Sequence, residues 1–135
     1  MTVSCPLCAD GGVLICGSTD SWNNAAAGST DTFDNYSGCP GYLSDGPELV
    51  YVYTAATTGN TTLDLTGLTD DLDLYILSAP SDGACDPGLC VASSILPGIA
   101  DDSVTFASIT GSTYYISVDG FGGATSSYNL SLNCN

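Results

Sequence analysis

The stretch Asp71-Leu72-Asp73-Leu74-Tyr75-Ile76 decides the fold. Its period of two places Leu72, Leu74 and Ile76 on one face and Asp71 and Asp73 on the other, as in a strand with one face in a core. Leu63/Leu65, Val104/Phe106, Ile116/Val118 and Leu130/Leu132 repeat that alternation, and no window carries a helical stripe. Working outward, strands are expected over 13–16, 32–36, 48–54, 61–66, 71–77, 103–107, 113–119 and 127–132. Each is bounded by Gly, Pro, Asn or Asp, at the spacing of a two-sheet sandwich. Residues 17–46 read as turn-rich, with Asn23-Asn24 and Asp45-Gly46 as breakers. No linker divides the chain. A single domain over 1–135 is expected, with a strand and turn-rich segment in 1–30 and the core sandwich in 31–134.

The 135 residues include no Lys, no Arg and no His, against fourteen Asp and a single Glu, Glu48, for a formal charge of -15. No imidazole is present for general base work, no lysine for Schiff-base chemistry and no guanidinium for anion recognition. Nucleic acid and anionic membrane are excluded as partners, since both are bound chiefly through Lys and Arg. With 44% apolar and 11% charged residues, the chain can build a core and is no acidic disordered tail. Hard cations held through oxygen ligands suit it best. Asp71 and Asp73 project from one strand face about 7 Å apart, beside Asp70. They are a candidate cation pair, or else a solvated or hydrogen-bonded strand face. Spacing alone does not make them a glycosidase acid and base, and a one-domain sandwich offers little cleft. No enzyme is expected.

Seven cysteines stand at 5, 8, 16, 39, 85, 90 and 134. Cys5-Pro6-Leu7-Cys8 has the spacing of zinc knuckles and redox sites, but no histidine or second close pair accompanies it and no βαβ setting surrounds it. Structural disulfides in an oxidising compartment are expected. Cys85 with Cys90 closes a short loop around Pro87-Gly88, Cys16 pairs with Cys39, and Cys134 pairs with Cys5 or Cys8. The cysteine left over is a free thiol or a link to another chain. The start at Met1-Thr2-Val3 is not a signal peptide, so an export signal is expected upstream or already trimmed. No apolar stretch reaches the ~20 residues of a membrane span.

Tyr51 and Tyr53 share one face of their strand, with Val50 and Val52 on the other. That strand is either central and covered on both sides, or it presents tyrosines to a partner. Tyr51, Tyr53 and Tyr115 are therefore candidates for binding an extended polymer, against the alternative of core packing. Three glycosylation sequons begin at Asn35, Asn60 and Asn129; Asn129 falls inside an expected strand, which leaves Asn35 and Asn60 as acceptors.

The segments Gly46-Pro47-Glu48-Leu49-Val50-Tyr51-Val52-Tyr53-Thr54, Asp71 to Leu77, Thr113-Tyr114-Tyr115-Ile116-Ser117-Val118-Asp119-Gly120 and Ser127-Tyr128-Asn129-Leu130-Ser131-Leu132 occur in that order. Together they resemble the bacterial pre-peptidase C-terminal domain, the family that includes the collagen-binding domains of clostridial collagenases, in a cysteine-rich secreted form. The resemblance covers residues 30–132. It implies an all-β, jelly-roll-like β-sandwich of about seven to eight mostly antiparallel strands, stapled by disulfides, exported, and non-catalytic. In collagen-binding members calcium is held by an acidic D-x-x-D-x-Y segment and the stretch before it. The resemblance carries that role to Asp31 and Asp34, ahead of Tyr36, and to Asp20, Asn23 and Asn24. This chain departs from the pattern where Ser37-Gly38-Cys39 follow Tyr36 and where residues 5–17 replace an acidic linker. The same Asp and Asn residues also fit Asx turns.

Two functions are compatible with these residues. One is a secreted or cell-surface adhesion module that binds a protein fibre or polysaccharide, with Ca²⁺ as its cofactor. The other is a subunit that assembles with identical subunits into a filament or surface layer, in which case its charge must be shielded.

Overall fold

The structure, a computed structural model, describes residues 12–26, 29, 36–39, 45–79 and 87–134. Its strands are β1 (Gly12–Val13), β2 (Thr19–Asn23), β3 (Glu48–Thr54), β4 (Gly59–Thr66), β5 (Leu72–Ser78), β6 (Cys90–Ser94), β7 (Asp102–Ser108), β8 (Thr113–Gly120) and β9 (Ser127–Cys134). They form a sandwich of two sheets, ordered β1-β3-β8-β5-β6 and β2-β9-β4-β7. Among the described residues only β1–β3 is parallel; every other pairing is antiparallel.

Period-two alternation builds the core. Leu49, Tyr51, Leu72, Leu74, Ile76, Ile116 and Val118 face inward from the five-stranded sheet. Leu63, Leu65, Val104, Phe106, Leu130 and Leu132 meet them from the four-stranded one. Each fully buried aliphatic side chain contributes roughly 1.5–3 kcal/mol, so these facing rows hold the two sheets together.

The outer face of the five-stranded sheet is also covered. Val50, Tyr75, Leu77 and Tyr115 form a second apolar cluster with Tyr36 and Cys90. Tyr36 stacks on Tyr75 with ring centroids 3.7 Å apart. This settles the two-faced strand β3: it is central, with Tyr51 in the core and Val50 buried on the other side.

The disulfides differ from the expected pairing. Cys90 stands opposite Leu77, on the outer face where the 36–39 segment lies, and bonds Cys39 rather than Cys85. Cys16 sits in the turn between β1 and β2, which hydrogen-bonds to β9 through Gly17 N–H to the Leu132 carbonyl. Its partner is therefore Cys134, not Cys39, and Cys134 is not joined to Cys5 or Cys8. Spacing along the chain does not show these pairs, because the folding of the sheets decides which segments lie side by side. Cys5, Cys8 and Cys85 lie outside the described residues, as does most of the strand expected over 32–36.

The Cys16–Cys134 bond spans 118 residues, and a loop of that length constrains the unfolded chain by about 4–5 kcal/mol. The double variant Cys16→Ser/Cys134→Ser is expected to lose stability of that order in urea unfolding, with the β-sheet circular dichroism retained. An unchanged urea midpoint would contradict the closure.

Candidate functional site

At one end of the five-stranded sheet, β5 begins while β6 and β8 finish, and β7 enters beside them. Register fixes this end: Leu72 pairs with Gly120, and Leu74 with Ser94. The tight turn after β8 is open to the chain because Gly120 has no side chain: a Cβ there would strike the Ala124 carbonyl. Phe121 is then held by its amide N–H donating to the Asp71 carbonyl at 3.0 Å. The space left at this end is a cavity of about 220 Å³ lined by Asp71, Asp73, Ile95, Pro97 and Phe121.

Three carboxylates meet at this end. Asp73 is 2% exposed and Asp102 fully buried, while Asp71 at the strand entrance is half-buried. Asp102 Oδ1 accepts from the Ser94 hydroxyl at 2.7 Å and from the Leu96 amide at 3.0 Å. That contact ties the exposed 95–101 loop to the sheet end. Among the described residues, Asp71 Oδ1, Asp73 Oδ1 and Asp102 Oδ2 are buried without a hydrogen-bond partner. An ionised carboxylate without partners is costly to bury. Burial, followed by the neighbouring Asp71 and Asp102 carboxylates, pushes Asp73 up from 3.8 to about 8. Burial also raises Asp102 to about 6, against the pull of its Ser94 and Leu96 bonds, with Asp71 and Asp101 adding to the rise.

A carboxylate row crosses the outer sheet face from here. Asp73 is paired with Asp119, and Asp119 with Glu48, so all three side chains point to one face. Asp119 is neutralised by donors instead of cations: Tyr36 donates to Oδ2 at 2.7 Å and the Gly120 amide to Oδ1 at 2.8 Å. Having given its one proton to Asp119, the Tyr36 oxygen accepts from Ser117 at 2.8 Å. Burial, with the Asp119 charge second, pushes the Tyr36 phenol well above its usual range.

The remaining expected site residues fall elsewhere. Tyr51 and Tyr53 are buried in the core and offer no platform to a polymer, a correction that follows from the central place of β3. Tyr51 donates to Asp20 Oδ2 at 2.8 Å, and so the Tyr128 hydroxyl, 2.7 Å away, donates to Tyr51. Tyr53 lies beside the disulfide, 3.1 Å from Cys134 Sγ. Tyr115 is buried in the outer apolar cluster. Asn24 donates to the Pro47 and Ala124 carbonyls and accepts from the Ser126 amide, so it braces three segments. Asn23 accepts from the Ala25 amide. Each of Asp20, Asn23 and Asn24 thus has a partner within the fold. Asp31, Asp34 and the acceptor Asn35 lie outside the described residues, while Asn60 is exposed on β4. Among the described residues no three Asp, Glu, Cys or His side chains are placed to hold a metal ion together.

Asp102 escaped the sequence reading, although a signal was present. Asp102, Val104, Phe106 and Ser108 share the inward phase of β7, so a carboxylate begins an apolar row. The expected strand began at 103, one residue too late to expose this.

The raised carboxyls fix how stability depends on pH. Folded Asp73 and Asp102 keep protons that the unfolded chain releases above 3.8, so their contribution to stability is full below that pH and is lost as pH rises towards about 8. Titratable neighbours of Asp73 are Asp71 just before β5, Asp119 opposite it on β8, and Asp102 at the start of β7, all acidic. The thermal midpoint is expected to fall from about pH 4 to about pH 8. Asp73→Asn should flatten the upper half of that fall, whereas an unchanged slope in this variant would contradict the assignment.

A scan against protein-family models finds none that matches the chain, and a search of curated proteins finds no match. Among solved structures it is similar to the pre-peptidase C-terminal domain of a collagenase from Bacillus anthracis, at 14% identity and a TM-score of 0.56. The match covers 90% of this chain and 93% of that one. At this identity the likeness is one of fold: the chain has a fold like that of a pre-peptidase C-terminal domain.

Proposed function

We propose that this chain is a non-catalytic extracellular module that attaches to a polymer or cell surface. The observation that carries the reading is the shared fold over nearly the whole chain with a domain of a collagenase. Two disulfides support an oxidising, extracellular setting. The lack of Lys, Arg and His supports binding over catalysis. Collagen, as the polymer tied to the similar domain by name, is the first ligand to test, with polysaccharides next.

A second reading is assembly with identical subunits. It is favoured by Val91, Ile95, Leu96 and Ile99, which are exposed along and beyond edge strand β6. Assembly must overcome a charge of -15 per copy, so cations are needed as shielding.

Co-sedimentation with insoluble collagen, cellulose and chitin, with calcium or with EDTA, separates these readings. The module is expected to pellet with at least one polymer, and loss of pelleting in EDTA would tie attachment to calcium. Protein left in every supernatant would overturn the module, and ordered fibres of the protein alone in electron micrographs would establish assembly.

A further inference from the structure

We infer that the cavity at the sheet end receives a single basic side chain, Lys or Arg, presented by a different protein. Its floor and walls differ in chemistry. Asp71 and Asp73 supply carboxylates, while Ile95, Pro97 and Phe121 supply hydrocarbon and an aromatic ring. An ammonium or guanidinium group on an alkyl stem matches both parts: the stem packs on the apolar wall, and the cation meets the acids. The volume of about 220 Å³ falls below the roughly 300–1,000 Å³ of small-molecule sites, which suits one side chain.

The independent sign that a cation belongs here is Asp73. Its side chain is 2% exposed, lines the cavity, and has no partner for Oδ1 among the described residues. A bare metal ion fits less well, because it needs oxygens on all sides and three of the five lining residues offer side-chain hydrocarbon. A second copy of this sequence is also unsuitable. It contains no Lys, Arg or His to insert, and it would bring only further carboxylates. The partner at this surface is therefore heterologous.

Around the cavity, Ile95, Leu96 and Ile99 are 37%, 48% and 64% exposed, on the loop that Asp102 anchors. Apolar residues flanking the basic side chain would dock there, with the charge setting orientation and specificity. Asp73 must lose its proton on binding, against Asp71 just before β5, Asp119 on β8, and Asp102 at the start of β7. Binding therefore tightens from about pH 6 to about pH 9, a range in which Lys and Arg stay charged.

This inference names the partner chemistry of the module reading and rests on it. The test is amide nitrogen–proton NMR of the intact chain, titrated separately with N-acetyl-arginine methylamide, its citrulline analogue and calcium chloride. The arginine probe is expected to move the amides of Asp71, Leu72, Asp73, Ile95, Leu96 and Phe121, and to bind more tightly at high pH. Citrulline, of the same shape without the charge, should leave them in place. Asp73→Asn and Asp71→Asn should each weaken the arginine probe about tenfold, the spectrum itself reporting that each variant is folded.

Equal response to citrulline, response to calcium alone, or no response to any probe would each overturn the inference. Pelleting with a polymer while the arginine probe moves nothing would overturn it and leave the module reading standing. Arginine binding without any polymer attachment would support the pocket and overturn the polymer.

Discussion

The structure depends on how a chain without a single basic side chain tolerates buried carboxylates. In most proteins a buried acid finds an Arg or Lys. Here Glu48, Asp73, Asp102 and Asp119 are all at or near zero exposure, and neutralisation must come from neutral donors, from protons or from outside. Asp119 takes the first course through Tyr36 and the Gly120 amide. Tyr36 is therefore more than apolar cover for the outer face, and Cys39, bonded to Cys90, anchors its segment beside it. Asp102 is partly satisfied by Ser94 and Leu96, which fastens the apolar loop to the sheet end. Asp73 has the least internal relief, and it lines the cavity.

That gradient joins fold to function. Satisfied carboxylates serve the sandwich, and the unsatisfied ones gather where four strands end or begin and an apolar loop stands open. In a protein with internal cations, the same corner would close on itself with a salt bridge. In this one no internal cation is available, and at neutral pH Asp73 keeps its proton instead. Like-charge repulsion between copies, at -15 each, disfavours self-association through this corner.

Much of the sandwich was legible in the sequence wherever one face of a strand is buried. β3, β4, β5, β7, β8 and β9 each carry inward-facing apolar residues at every second position, and periodicity reads that directly. β2 was not legible. Its sequence Thr19-Asp20-Ser21-Trp22-Asn23 is polar and sits at the edge of its sheet among the described residues, paired to β9, with Trp22 half-exposed. β6 was hidden for a related reason: Cys90 was read as the end of a short loop with Cys85, whereas it opens an edge strand beside Leu77. Of the site, Asp71 and Asp73 were legible as a pair, because i and i+2 share a face. Asp102 comes from the other sheet, and the apolar walls come from the ends of β6 and β8. Only the topology brings these together, and spacing along the chain carries no trace of it.

The most direct measurement is a carbon-detected NMR titration of the carboxyl groups of Asp73 and Asp102 in the intact chain. The account predicts midpoints near 8 for Asp73 and near 6 for Asp102, with the Asp73 midpoint falling when an arginine probe is present. If both groups titrate near the ordinary carboxylate value of about 4, they are ionised at neutral pH without help. The claim that this fold waits for an external cation would then be contradicted.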